Sequence, residues 1–314
     1  MAGAPTTLNP TPCSFINLPI VTDWNEIDAD AVIFGVPYGK PYLPAQFPND
    51  QSTAPHALRA ASSRTVIDHD VIDADRKSHD RISDYKLFDG GDIPLHGGDV
   101  ELHYNLAEQA VRHLVKRGII PVTIGGDDGV TNPVLRGLNC LTDVTIIQID
   151  AHLDWRNERF GERDGYSSPM RRASELSFVS AIHQIGIRSF GSAYHSDMED
   201  AKDWGAIIHH ARDIHKNGIQ PVINALPNGG NFFITLDVDG LDPSVMPGTI
   251  ALAPGGLSWW DIDSLISGIT GKGNLIGLNI VELAPKNDIN QLSMIGAGRL
   301  ILKFLMSQLS KSKR

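Results

Sequence analysis

Only two cysteines occur in the chain, Cys13 and Cys140. That leaves no disulfide framework and fits a reducing, cytoplasmic compartment. No run of eighteen apolar residues is present, so no membrane span is expected. The first twelve residues are rich in Pro and Thr without an apolar segment, and do not read as a signal peptide. Basic residues are scarce: 27 Lys+Arg stand against 37 Asp+Glu, a formal net charge of −10. The one basic cluster is the tail Lys311-Ser312-Lys313-Arg314. This balance argues against a nucleic-acid surface. No glycine-rich turn is followed by Lys-Ser/Thr, so no P-loop is present.

What remains is an ordinary globular composition, 41% hydrophobic and 20% charged over 314 residues. The length suits one large α/β domain. We expect an irregular arm over residues 1–30 and a single domain over 31–314. Apolar runs predict strands at 31–37, 87–92, 119–124, 143–150, 182–188, 231–237 and 275–281. Helices are expected from Pro55, over 102–117 with Leu102, Leu106, Ala110 and Leu114 on one stripe, and over 293–309. Strands separated by helical segments imply βαβ units, a mainly parallel sheet and three layers, α-β-α. Residues 38–55 and 156–170 read as long loops, of the length that often carries function.

Several strands end in acid. Ile146-Ile147-Gln148-Ile149 runs into Asp150-Ala151-His152-Leu153-Asp154. Extended-chain alternation would send Asp150, His152 and Asp154 to one side. Buried carboxylates without a partner are costly, and a cation is the simplest partner. Phe232-Phe233-Ile234 similarly runs into Asp237-Val238-Asp239, with Asp242-Pro243 expected to turn the chain away. Asp127 and Asp128 follow Gly125-Gly126, and each could be a ligand or a helix cap. Glu282 closes the last apolar run and could be a ligand, a base, a cation receptor or a salt-bridge partner. His183 is expected in the core, His209 and His210 on the surface, and Arg171 and Arg172 in solvated or interface roles.

Taken together, these motifs resemble those of the ureohydrolases, the arginase/agmatinase family, with the agmatinase branch nearer. Asp150-Ala151-His152-Leu153-Asp154 resembles that family's Asp-Ala-His-x-Asp motif. Asp237 to Pro243 resembles its second metal motif, and Gly125-Gly126-Asp127 its Gly-Gly-Asp-His. The resemblance implies the arginase fold and two divalent ions per chain, Mn²⁺ or Ni²⁺, held by Asp128, Asp150, His152, Asp154, Asp237 and Asp239. It implies that Asp150 and Asp237 bridge the ions, that Asp154 orients the attacking hydroxide, and that Glu282 pairs with the substrate guanidinium. The implied activity is hydrolysis of a C–N bond in a guanidino compound: guanidine, a guanidino acid or a biguanide. Homo- or hetero-oligomers, trimeric or hexameric, are implied as well.

Two positions depart from the family pattern. Asp128 stands where the family has a histidine ligand, which adds negative charge. Ser168 stands where the family has a proton-carrying histidine, and serine does not titrate near neutrality. These departures motivate a second expectation: a weakly active or non-catalytic subunit paired with a ureohydrolase paralogue, as in metformin-hydrolase-type hetero-oligomers.

Overall fold

Apolar runs with β-branched residues become strands because only a sheet covered on both faces can bury them along their whole length. In the computed structural model, which describes residues 8, 11–43, 49–76, 79–96 and 98–312, such strands are the frame of the protein. In chain order the elements are β1 (Ala31–Val36), α1 (Ala54–Ser62), β2 (Leu87–Asp92), α2 (Val100–Lys116), β3 (Ile120–Gly125), α3 (Thr131–Arg136), β4 (Val144–Ile149), α4 (Pro169–Ala173) and β5 (Val179–Ile187). They continue as α5 (His195–Trp204), β6 (Ile207–His210), α6 (Ala211–Asn217), α7 (Gln220–Ala225), β7 (Asn231–Asp237), α8 (Trp259–Lys272), β8 (Asn274–Val281) and α9 (Leu292–Ser312).

The sheet order is β2-β1-β3-β8-β7-β4-β5-β6, and every neighbouring pair is parallel. One apolar layer joins α1, α8 and α9 to the sheet through Leu58, Leu265, Phe304 and Leu305. The opposite layer is built on α2 and α3 through Val111, Leu114 and Val134. The three-layer α-β-α architecture follows. By length and composition alone α9 could cross a membrane, but Leu300, Ile301, Phe304 and Leu305 are buried in the protein core.

Local sequence explains most boundaries. Asp99 caps α2 by accepting from the Leu102 amide at 3.0 Å, and Gly118 after its end is left-handed, φ 73°. The apolar stripe of α2 is displaced from the expected one. His103, Tyr104, Ala107, Ala110, Val111 and Leu114 face inward, while Leu102 is 38% exposed. The edge strand β6 was not expected: its four residues are too few and too exposed to show a period.

Where they are described, the residues before Ala31 pack onto the domain. Phe15, Ile16, Leu18, Trp24 and Ile27 are buried, and the Phe15 amide donates to Asp89 Oδ2 at 2.7 Å. Asp89 itself is fully buried against Arg59, whose Nε and Nη2 donate to it at 2.8 and 3.1 Å. Arg59 Nη1 also reaches Asp92 at 2.5 Å, and Nη2 the Gly91 carbonyl at 2.9 Å. His183 is buried, as expected. His209 is half-buried, not on the surface, because its ring stacks on His183 at 5.5 Å. His210 is exposed.

Candidate metal centre

The four strands that end in acid are neighbours. In the order β3, β8, β7, β4 they form the middle of the sheet. Register aligns their tips: Ile149 pairs with Leu236 and Asp237 with Val281. Asp150, Asp237, Glu282 and the Asp127-Asp128 turn therefore open on one point at the carboxyl edge, where open α/β sheets bind ligands.

Ligand-type atoms there fall into two groups, each with its members within 4.8 Å of one another. One comprises Asp150, His152, Asp237 and Asp239, the other Asp128, Asp150 and Asp154. Asp150 belongs to both. The residues after Asp150 converge, but not by strand alternation. The chain leaves extended geometry at Asp150, and Asp154 adopts a left-handed backbone, φ 49°. His152 turns to Asp239, with Nδ1 3.1 Å from Oδ2, while Asp154 turns to Asp128. Glu282 is left-handed too, φ 66°. Such conformations cost about 1–3 kcal/mol each in non-glycine residues and concentrate at functional sites.

Asp127 and Asp128 part company. Asp127 is a cap and strap, accepting from the Gly129 amide at 3.1 Å and the Lys40 amide at 2.7 Å. Asp128 joins the cluster, and its own amide donates to Glu282 Oε1 at 2.7 Å. The turn can approach the Tyr38 strand end only because residue 126 is glycine: a Cβ there would lie 1.5 Å from the Tyr38 carbonyl oxygen.

Supporting polar residues escaped the sequence reading. Gln148 Nε2 donates to Asp150 Oδ2 at 2.8 Å and Asp154 Oδ2 at 3.0 Å, and Gln184 Nε2 donates to Gln148 Oε1 at 2.6 Å. The available signal was an amide side chain two positions before Asp150 in an otherwise β-branched strand. Gln51, distant in sequence, donates to Glu282 Oε2. The Arg188 guanidinium binds the carbonyls of Asp239, Gly240 and Leu241 and so holds the second acidic loop in shape.

Electrostatically the cluster is short of positive charge, with His152 its one cationic group. Burial, then neighbouring carboxylates, push Asp128, Asp154, Asp237 and Asp239 above the ordinary carboxylate range. Glu282 is raised by burial and by Asp127. Burial acts against charge on Asp150 as well, but the His152 ring beside it holds it low. Burial disfavours the His152 cation, yet Asp150 and Asp239 hold its proton up to about 11. Asp239 Oδ2 is buried without a hydrogen bond of good geometry. Buried carboxylates that share one imidazole and repel one another fit divalent cations, and an oxygen-rich set with one nitrogen suits a hard or borderline ion.

A cavity of about 330 Å³ opens on this cluster, lined by His152, Asp154, Asp237, Asp239, Glu282 and Gln51 below and by Trp155, Arg156, Arg159, Tyr166 and Ser167 higher up. Ser168 is not among its walls. It is fully buried at the start of α4, with its Oγ unpartnered. The hydroxyl-bearing residues of the lining are Tyr166, Ser167 and Ser192. Burial pushes Tyr166 up to about 12. Arg171 and Arg172 point elsewhere, toward Glu175.

A sequence model of the arginase family matches residues 29–307. The agmatinase of Bacillus anthracis is 30% identical over 230 residues, which is 72% of this chain and 76% of the relative. The guanidinobutyrase of Pseudomonas aeruginosa is 28% identical over 295 residues, 91% of this chain and 89% of its own. Among solved structures, the agmatine ureohydrolase of Thermoplasma volcanium superposes with a TM-score of 0.76 at 26% identity, covering 93% of this chain and 94% of that one.

Proposed function

This chain belongs to the arginase family, and from that premise we propose that it hydrolyses a C–N bond of a small guanidino compound at a two-metal centre. The observation that supports the reading most is Asp150, shared between two ligand groups beside a cavity that also holds Glu282. Asp150, His152, Asp237 and Asp239 would hold one divalent ion and Asp128, Asp150 and Asp154 the other, with Mn²⁺ or Ni²⁺ the ions in view. Once bound, the pair would supply Lewis acidity and a strong oxygen nucleophile at neutral pH.

The protein's own part is positioning. Glu282, fixed by the Gln51 amide and the Asp128 amide, presents a carboxylate to the planar guanidinium. Gln148 holds Asp150 and Asp154 in one orientation. Trp155, buried at the cavity wall, excludes water from that side. His152, the one imidazole of the cavity lining, is committed to the first ion on this reading, so proton movement toward the departing amine falls to the Asp154 carboxylate. On this reading the catalytic domain spans 31–314, with the preceding segment packed onto it.

Asp128 favours a second reading, a weakly active or non-catalytic subunit that works beside a ureohydrolase paralogue in a hetero-oligomer. Its carboxylate adds negative charge without the nitrogen donor and should lower the Lewis acidity of an ion held there, or change which metal is preferred. One experiment separates the two. Metal content and urea release are measured across a guanidino panel, with the chain alone and with a paralogue. Two ions per chain and turnover alone support the enzyme; one ion or none, with turnover only in the mixture, supports the subunit. Asp128→His should raise turnover of the chain alone if the ion at that position limits activity.

A further inference from the structure

The cavity changes character with height. Asp154, Asp237, Asp239 and Glu282 are buried in it, whereas its less buried wall carries Arg156, Arg159 and Tyr166 together with Asp197. Of the two arginines on that wall, Arg156 is already paired with Asp197 and packs over Tyr194, 3.5 Å from the ring centroid. Arg159 has no carboxylate partner among the described residues. Its guanidinium lies over Tyr42 at 5.2 Å, and Tyr42 in turn stacks on Tyr166 at 4.2 Å.

Arg159 is held there by its backbone. It exchanges both backbone hydrogen bonds with Glu162 at 3.0 Å, around Phe160 (φ 53°) and Gly161 (φ 80°). Two successive left-handed residues between paired flanks make a tight two-residue hairpin turn. The acid of that hairpin, Glu162, points away to Lys40 at 3.3 Å. A positive charge is therefore presented on a braced turn, over an aromatic surface, at the open end of a cavity whose closed end takes a guanidinium.

Building on the hydrolase reading, we propose that the substrate is a guanidino acid, with Glu282 binding its guanidinium and Arg159 its carboxylate. A guanidino amine would bring a second cation against Arg159 and lose affinity. A carboxylate would gain a charge-assisted pair of the bidentate kind arginine forms. A volume of about 330 Å³ is at the small end for ligand pockets and suits a short chain between the two charges. In the reaction the oxygen of water bonds to the guanidine carbon and the C–N bond to the chain breaks. Urea leaves, and both water protons end on the freed nitrogen, which departs as the ammonium group of an amino acid.

The test compares kcat/KM of the manganese-loaded chain for 4-guanidinobutanoate, agmatine and butylguanidine. The expected result is a preference for the acid over agmatine of about ten-fold or more, the size of a charge-assisted hydrogen bond. In Arg159→Ala the acid-to-butylguanidine ratio should fall about ten-fold, mainly through KM. Arg159→Lys should restore part of it, and Arg159→Glu should turn the preference toward agmatine. Agmatine preferred by the unaltered chain, or a ratio that Arg159→Ala does not move, overturns the proposal. Should no guanidino compound be hydrolysed, the hydrolase reading fails separately, and calorimetric binding of 4-guanidinobutanoate decides this one. Binding weakened about ten-fold by Arg159→Ala supports it; absent or unchanged binding overturns it.

Discussion

Two sets of buried carboxylates sit on the same sheet and are handled in opposite ways. At the β2 edge, buried Asp89 and half-buried Asp92 meet Arg59, a fully buried guanidinium that reaches both. At the central strand tips, Asp128, Asp150, Asp154, Asp237 and Asp239 share one imidazole between them. The first set carries its counter-charge in the sequence and belongs to folding. The second is short of positive charge and aimed at a cavity. Buried acid is thus not itself a mark of function; acid whose compensation must come from outside the chain is.

The strongest challenge to this contrast is Asp150→Asn. It should lower turnover by about 10³-fold or more, since the residue is common to both ligand groups. It should also remove the rise in stability that metal gives the unaltered chain, about 2.7 kcal/mol at a hundred times the dissociation constant. Paired thermal melts with and without manganese check this. A variant that keeps both its turnover and its metal-induced shift would erase the distinction.

Arg59→Met should behave in the opposite manner. It leaves Asp89 buried without compensation, at a cost of about 3–5 kcal/mol. Urea denaturation should show that cost equally with and without metal. A metal-dependent rescue would mean that the two sets are not independent.

His183 and His209 add an intermediate case, a buried pair that is neutral near pH 7. Burial, then His209, lowers His183 to about 4, against about 6.5 in an unfolded chain. Between these values the unfolded state binds more protons, so stability is full above pH 6.5 and is lost as pH falls toward 4. The loss should be roughly 3 kcal/mol, and His183→Gln should flatten that part of the pH–stability curve. A variant whose acid slope matches that of the unaltered chain would place the titration elsewhere.

Ser168→Ala should have the smallest effect. Its hydroxyl is buried and unpartnered, so removal should stabilise by up to about 1 kcal/mol. A fall in kcat/KM for any guanidino substrate would instead return that side chain to the chemistry of the cavity.

The strand tips were legible because a buried apolar run followed by acid is hard to satisfy with protein alone. Sheet neighbours were not, because parallel order depends on crossovers that leave no local mark. Gln51 and Arg188 act across long sequence separations, and Arg59 gave no pattern to read. Ser168 was placed by motif resemblance, which cannot tell which side chain of Tyr166-Ser167-Ser168 faces inward. The helix start at Ser168 turns it away from the cavity. The α2 stripe was misjudged by one residue for a related reason, since Tyr104 and His103 are polar enough to look solvent-facing.

Asp154 and Glu282 stand on backbone that glycine would adopt freely. Selection on folding alone would drift toward glycine at both places, gaining robustness while erasing the chemistry. A library of this chain ranked only by heat resistance would therefore enrich sturdy, inert protein, and acid retained there under mutation is a signature of turnover being selected.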